Sequence, residues 1–218
     1  MAKTFFLQRR DIMVKVGTFL FAVFSGILLV ANAYADSQGD ARKALEAKGI
    51  QVSEGEFLRQ VERGDRTVVE LFLQAGINPK AKVDGGSALI VATTRGHADI
   101  VQMLIAKGAD VNARNKEGAT PLMGAIMGGR KDIVSLLLDR GADVNASTAT
   151  TTQVHAITPL FMAIPKGDKD LVQLLITRGA DVNKKGNVGG GEMSPLTWAL
   201  VNKKQEIADL LITKGARP

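Results

Sequence analysis

A block of constant length recurs five times along this chain, and that periodicity restricts its architecture more than any local helix or strand signal does. Four segments end alike: Lys107-Gly-Ala-Asp-Val-Asn112, Arg140-Gly-Ala-Asp-Val-Asn145, Arg178-Gly-Ala-Asp-Val-Asn183 and the shortened Lys214-Gly-Ala216. A degenerate copy reads Ala75-Gly-Ile-Asn-Pro79. Each has a matching start upstream: Gly55-Glu-Phe57, Ser87-Ala-Leu89, Thr120-Pro-Leu122, Thr158-Pro-Leu160 and Ser194-Pro-Leu196. From the third residue of the start to the terminal Gly the distance is always 19 residues, as from Phe57 to Gly76 or Leu196 to Gly215. From that Gly to the next start it varies through 13, 14, 19 and 17. A fixed interval signals packing, whereas loops in solvent tolerate insertion.

Within the block the residues predict two short antiparallel helices. Ser or Thr followed by Pro supplies an N-cap and a preorganised first helical position. A slim apolar stretch such as Leu160-Phe-Met-Ala-Ile164 forms the first helix, and Gly64, Gly96, Gly129 and Gly167 end it. The second helix opens with Asp99, Asp132 or Asp170 and carries apolar residues at helical spacing, as in Ile100, Val101, Leu104 and Ile105. Lys or Arg before the terminal Gly suits a helix closing in the left-handed conformation. Aromatic residues make up only 5% of the chain, so thin helical layers are favoured over one large core.

These motifs resemble the ankyrin repeat, in which Thr-Pro-Leu opens the first helix, Gly-His separates the helices and Gly-Ala-Asp-Val-Asn follows the second. The resemblance runs from about Glu54 to the C-terminus and rests on several motifs in register. It implies an all-α solenoid of helix-turn-helix units with projecting loops. One departure recurs: Ile90, Met123, Phe161 and Thr197 stand where the family has a His, which removes an inter-repeat hydrogen bond and is expected to loosen the stack. The repeat region covers residues 54–218, in units 54–83, 84–116, 117–154, 155–190 and 191–218. Residues 36–53 read as a capping helix and linker, with Asp40 to Gly49 making an amphipathic turn and a half. At the other end Lys203 and Lys204 replace Gly-His and, with Gln205 and Glu206, wet the last helix pair as a terminal unit requires.

Residues 1–35 read as an export signal outside the fold. Lys3, Arg9, Arg10 and Lys15 form a basic start, Thr18 to Val30 is an uncharged apolar run, and Ala33-Tyr34-Ala35 offers small residues to a signal peptidase cutting before Asp36. Thirteen apolar residues fall short of the ~20 that span a bilayer, so no stable membrane anchor is expected after cleavage. Arg9-Arg10 also fits a twin-arginine signal imperfectly, and a start at Met13 would exclude that pair; export follows in each case. The mature chain retains 24 of the 28 Lys+Arg and 21 of the 22 Asp+Glu, a balance near +3 that gives little support to nucleic-acid binding. The absence of Cys excludes disulfides, thiolate metal sites and a Cys nucleophile.

No residues assemble into a catalytic motif. His97 falls at the Gly-His position, where a structural bond between units is expected, and His155 lies in a loop. Gly186-Asn-Val-Gly-Gly-Gly191 lacks the flanking strand and Gly-Lys-Ser/Thr of a phosphate loop and reads as a flexible connector. The Asp residues fall one per unit, serving turns and not a paired-carboxylate centre. Trp198 matches Val91, Gly124 and Met162 on the first helix, which points to packing. No catalysis, cofactor or metal is expected.

Binding is expected instead at the ends of the first helices, which the ankyrin family uses on its concave side. In register these are Glu62 with Arg63, Thr94 with Arg95, Met127 with Gly128, Pro165 with Lys166, and Val201 with Asn202. The loop tips add Asp84, Lys116, Glu117, His155 and Glu192, and the Ser/Thr-rich insertion from Ala146 to Ile157 is either disordered or a contact loop. Met127 and Pro165 give the column an apolar middle with a polar rim, suited to a protein partner. Pro165, lacking an N–H, should break its helix's last turn. The expectation is a monomeric periplasmic or secreted protein-binding module; an accessory subunit of an exported enzyme, or a structural envelope protein, is the alternative.

Overall fold

The computed structural model describes residues 36–83, 85–148, 156–188 and 191–218. Helix α1 covers residues 36–47. Five helix pairs follow: α2 (Glu54–Arg63) with α3 (Arg66–Gln74), α4 (Ala88–Arg95) with α5 (Ala98–Ala106), α6 (Pro121–Met127) with α7 (Lys131–Asp139), α8 (Pro159–Ala163) with α9 (Lys169–Thr177), and α10 (Pro195–Val201) with α11 (Gln205–Thr213). Two small antiparallel hairpins project between pairs, β1 (Lys82–Val83) with β2 (Gly86–Ser87) and β3 (Gly186–Val188) with β4 (Gly191–Met193).

The first helices begin where the sequence predicts because Ser53, Ser87, Thr120, Thr158 and Ser194 each accept a bond from the amide three residues on. Pro165 does break its helix: Ile164–Lys166 tightens into a 3-10 turn. First helices pack on first helices (α2 on α4, α4 on α6, α6 on α8, α8 on α10) and second helices form a parallel row. The first row is the closer packed. Gly124 shows why. A Cβ there would lie 2.7 Å from Thr94 Oγ1 and 2.8 Å from Thr93 Oγ1, so only Gly lets α6 approach α4 this closely.

Every unit buries its apolar flank against the next, from Phe57, Val61 and Phe72 through Leu104, Ile126 and Leu137 to Leu175, Ala199 and Leu211, and these residues form one continuous core. The recurrent Asp-Val-Asn binds units together in two steps. Asp110, Asp143 and Asp181 each accept a bond from the amide two residues on, closing the turn. Asn112, Asn145 and Asn183 then reach the following unit: the Asn145 amide donates to Gly179 O at 2.9 Å while its carbonyl accepts from Asp181 N at 2.8 Å. This Asn ladder links successive units where the family His is missing. Met123 and Phe161, at two of those His positions, are buried as packing residues.

Two expectations need correction, and a third needs an addition. The leader is no turn and a half: α1 runs across residues 36–47, buries Ala41 and Leu45, and sends Arg42 Nε to Ala75 O at 3.3 Å. It ends in Lys48-Gly49-Ile50 with Gly49 left-handed, as every second helix ends. The Gly-rich stretch is not a loose connector but the β3–β4 hairpin, pairing Gly186 with Met193, Asn187 with Glu192 and Val188 with Gly191. A Cβ on Gly186 would come within 3.2 Å of the Phe161 ring, so the glycine there serves close packing. The last pair presents Lys203, Gln205 and Glu206 to solvent as expected, but it also leaves apolar surface uncovered. Leu200 is 51% exposed, although its register equivalents Val61, Thr93, Ile126 and Ile164 are all 0% exposed, each covered by the unit that follows.

Candidate interaction surface

The C-terminal ends of the first helices align because each helix has the same starting register and a Gly, or in α10 Asn202 and Lys203, that stops it. Glu62 and Arg63 close α2, both exposed. The Glu62 carboxylate pairs with the Arg95 guanidinium of the next unit, and the Glu62 carbonyl accepts a bond from His97 Nε2 at 3.1 Å. His97 is thus the inter-unit strut expected of it. Thr94 is half-buried and donates to Ile90 O at 2.8 Å, so it belongs to the helix more than to the surface. Lys166 Nζ donates to Met127 O at 2.9 Å, which ties the third unit to the fourth along the same column. Pro165 is exposed, and Met127 and Val201 are each 56% exposed. Asn202 is half-buried and bonds Trp198 O at 2.8 Å, while Trp198 Nε1 reaches Phe161 O at 3.2 Å, a packing role with a polar anchor.

The loop-tip residues stand on separate projections. Lys116 and Glu117 are exposed ahead of α6, with the Lys116 stem lying over Gly85, and Glu192 is exposed on β4. Asp84 and His155 lie outside the described residues, as do 1–35 and most of the insertion at 149–155.

Sequence reasoning missed a cleft of about 410 Å3 beside the column, between α2 and α4, floored by Leu58, Ile90 and Val91 and walled by Arg59, Glu62 and Arg95. Its signal was present: Leu58 and Ile90 share the position just after each unit's start. At its edge Glu56 accepts bonds from Gln60 Nε2 and Arg59, which hold its carboxyl below the ordinary range. On the second row Lys131 bonds Asp168 at 2.8 Å and lies 3.6 Å from Asp170. The bond to Asp168 raises the Lys131 pKa, while Asp168, pushed up by burial, is held below its usual value by Lys131 and the Leu171 amide. Among the described residues no group of three or more His, Asp or Glu is placed to hold a metal, and no helix is long and apolar enough to cross a membrane.

A stack of helix pairs with this cap and turn chemistry defines an interaction scaffold, and the comparison with known families agrees. The chain belongs to the ankyrin-repeat family: the family model for ankyrin repeats, in three copies, matches residues 58–148 and again 149–218. Its relatives include the mouse 2-5A-dependent ribonuclease, 32% identical over 90 residues, which are 40% of this chain and 12% of that protein. Ankyrin repeat-containing protein P1E11.10 of Schizosaccharomyces pombe is 38% identical over 59 residues, 27% of this chain and 28% of that one. Protein HOS4 of Saccharomyces cerevisiae is 36% identical over 66 residues, 29% of this chain and 6% of its own length. The matches thus span less than a third of each relative. Ankyrin repeats are in general modules of protein interaction.

Proposed function

We propose that this chain is an exported ankyrin module that binds a protein partner through the ends of its first helices and its loop tips. The observation that carries the binding face is the exposure of Met127 and Val201, each 56%, at one register position of the stack; the other large apolar side chains exposed to this degree among the described residues, Leu200 and Ile212, belong to the last pair. An exposed apolar pair within a polar column matches a binding centre with its rim. Ties between units, from Lys166 to Met127 O and from His97 to Glu62 O, hold the column in place, so a partner meets a prepared surface and little ordering cost.

Export is supported by the residues themselves: the basic start, the run Thr18 to Val30 and the small residues at Ala33 and Ala35. The mature protein then begins at Asp36 and acts in the periplasm or outside the cell. N-terminal sequencing of the protein recovered from cell fractions tests this, with Asp36 first as the expected result and an intact Met1 chain in the cytoplasm as the contrary one. Affinity capture from the periplasmic fraction, read by mass spectrometry, tests the face. Charge reversal at Arg95 and Lys166, or Met127→Ser, should weaken capture sharply while moving the melting curve no more than the loss of an exposed contact does; equal capture by all variants would remove this surface from the account.

A further inference from the structure

From the second unit onward the acidic residues of the helices are segregated by row, whereas α2 in the first unit carries Glu54, Glu56 and Glu62, the last of them paired with Arg95. Among the described residues, the first helices α4, α6, α8 and α10 and the 3-10 turn contain no Asp or Glu. The second helices beside them contain Asp99, Asp132, Asp139, Asp170, Glu206 and Asp209, several paired in turn with Lys131, Lys169 or Arg178. On the first-row side, Arg130 lies across Gly96, Lys166 bonds only the uncharged Met127 carbonyl, and Lys203 stands exposed at the end of α10. None of these three cations has a carboxylate partner among the described residues. Helix dipoles account for a cation at a helix C-terminus, but not for bare Met127 and Val201 between the cations.

We propose that this face takes an extended acidic segment of the partner protein, its apolar side chains resting on Met127, Pro165 and Val201 and its carboxylates on Arg130, Lys166 and Lys203. The proposal rests on the binding role argued above and adds the partner's chemistry. Neighbouring helices pack about 8–10 Å apart, and an extended chain rises about 3.3 Å per residue. One step of the stack therefore corresponds to about three residues of ligand, and the whole column from Glu62 to Val201 to about a dozen. The matching segment has an apolar residue at about every third position with Asp or Glu between. Complementary charge of this kind steers encounter and sets specificity, and the apolar contacts slow release.

The test is selection of random twelve-residue peptides, displayed on phage, against the immobilised full chain. The expected result is enrichment of Asp and Glu together with Leu, Ile, Phe or Met at spacings near three. The best synthetic peptide should lose about tenfold in affinity with Lys166→Glu, and several-fold with Val201→Ser, at unchanged melting temperature. Raising salt from about 50 to 500 mM should weaken it further. No enrichment, enrichment without acidic residues, or indifference to Lys166→Glu overturns the proposal. A twelve-nucleotide oligothymidine, or phosphatidylserine vesicles, binding with the same dependence on Lys166 and none on Val201 would reassign the face to polyanions and also overturn it. If partner capture still depends on the column while selection yields no acidic peptides, this chemistry fails and the binding face stands; if capture is also indifferent, both fail.

Discussion

The two ends of the stack are finished in opposite ways. At the N-terminal end α1 lies against the first pair, burying Leu45 completely and bonding the α3 terminus through Arg42. At the C-terminal end no element of the described chain covers α10 and α11, and Leu200 and Ile212 remain exposed. The difference teaches that an apolar residue in a repeat is not buried by its own unit: Leu200 occupies the position of Ile126 and Ile164, and lacks only the neighbour. Lys203 stands where the other units have a left-handed Gly, with φ of 56°, the one non-glycine at positive φ among the described residues. At the equivalent position of the fourth unit, Gly167 lies under Lys204 of the unit beyond, whose Nζ would lie 2.9 Å from a Cβ there.

The largest expected effect tests the covered end. Leu45→Ala should cost about 2–5 kcal/mol of unfolding free energy in a denaturant titration, while Leu200→Ala should cost less than about 0.5 kcal/mol. Equal losses would erase the distinction between the ends. Next, Asn145→Ala cuts the ladder between the third and fourth units and leaves Gly179 O and Asp181 N without their partner. A loss of about 1–2 kcal/mol is expected, with the C-terminal pairs melting ahead of the rest in calorimetry.

Lys203→Gly should stabilise the chain by about 1 kcal/mol by relieving the left-handed backbone, read as a higher denaturation midpoint. A loss would mean that the Lys203 side chain makes stabilising contacts at the open end.

The smallest effect is one of pH. Asp168 titrates lower folded than unfolded, so the folded form binds fewer protons there, and its contribution is complete above the ordinary carboxylate value and fades as pH falls through the lowered one. Lys131, raised by the same bond, contributes below its ordinary value and loses that contribution as pH rises through the raised one. Asp168→Asn should flatten the acid limb of the stability profile and change neutral stability by under about 1 kcal/mol. An unchanged acid limb would deny the junction any role in holding the C-terminal pairs.

Much of this fold is legible in the residues because the repeat states each local rule several times. Ser87, Thr120, Thr158 and Ser194 announce the caps, and the 19-residue interval fixes the pair. The parts that escaped depend on what lies across an interface. Asn112, Asn145 and Asn183 are visible as letters, yet their partners are backbone groups of another unit. Gly186 resembles a linker residue until the Phe161 ring is placed beside it. The leader did carry its signal, since Lys48-Gly49-Ile50 repeats the close of a second helix, but no Thr-Pro-Leu-like start stands upstream of it to complete the pattern. The alignment of the first-helix ends followed from register alone; the cleft floored by Leu58 and Ile90 did not, because their exposure depends on the spacing of α2 and α4.

Residue-resolved hydrogen exchange on the full chain tests the central claim most directly, since a stack held by neighbours opens from its uncovered end. Protection should be greatest in α5 and α7, hold through α3 beneath α1, and fall away in α10 and α11. Uniform protection along the chain, or opening of α2 and α3 before α11, would contradict it.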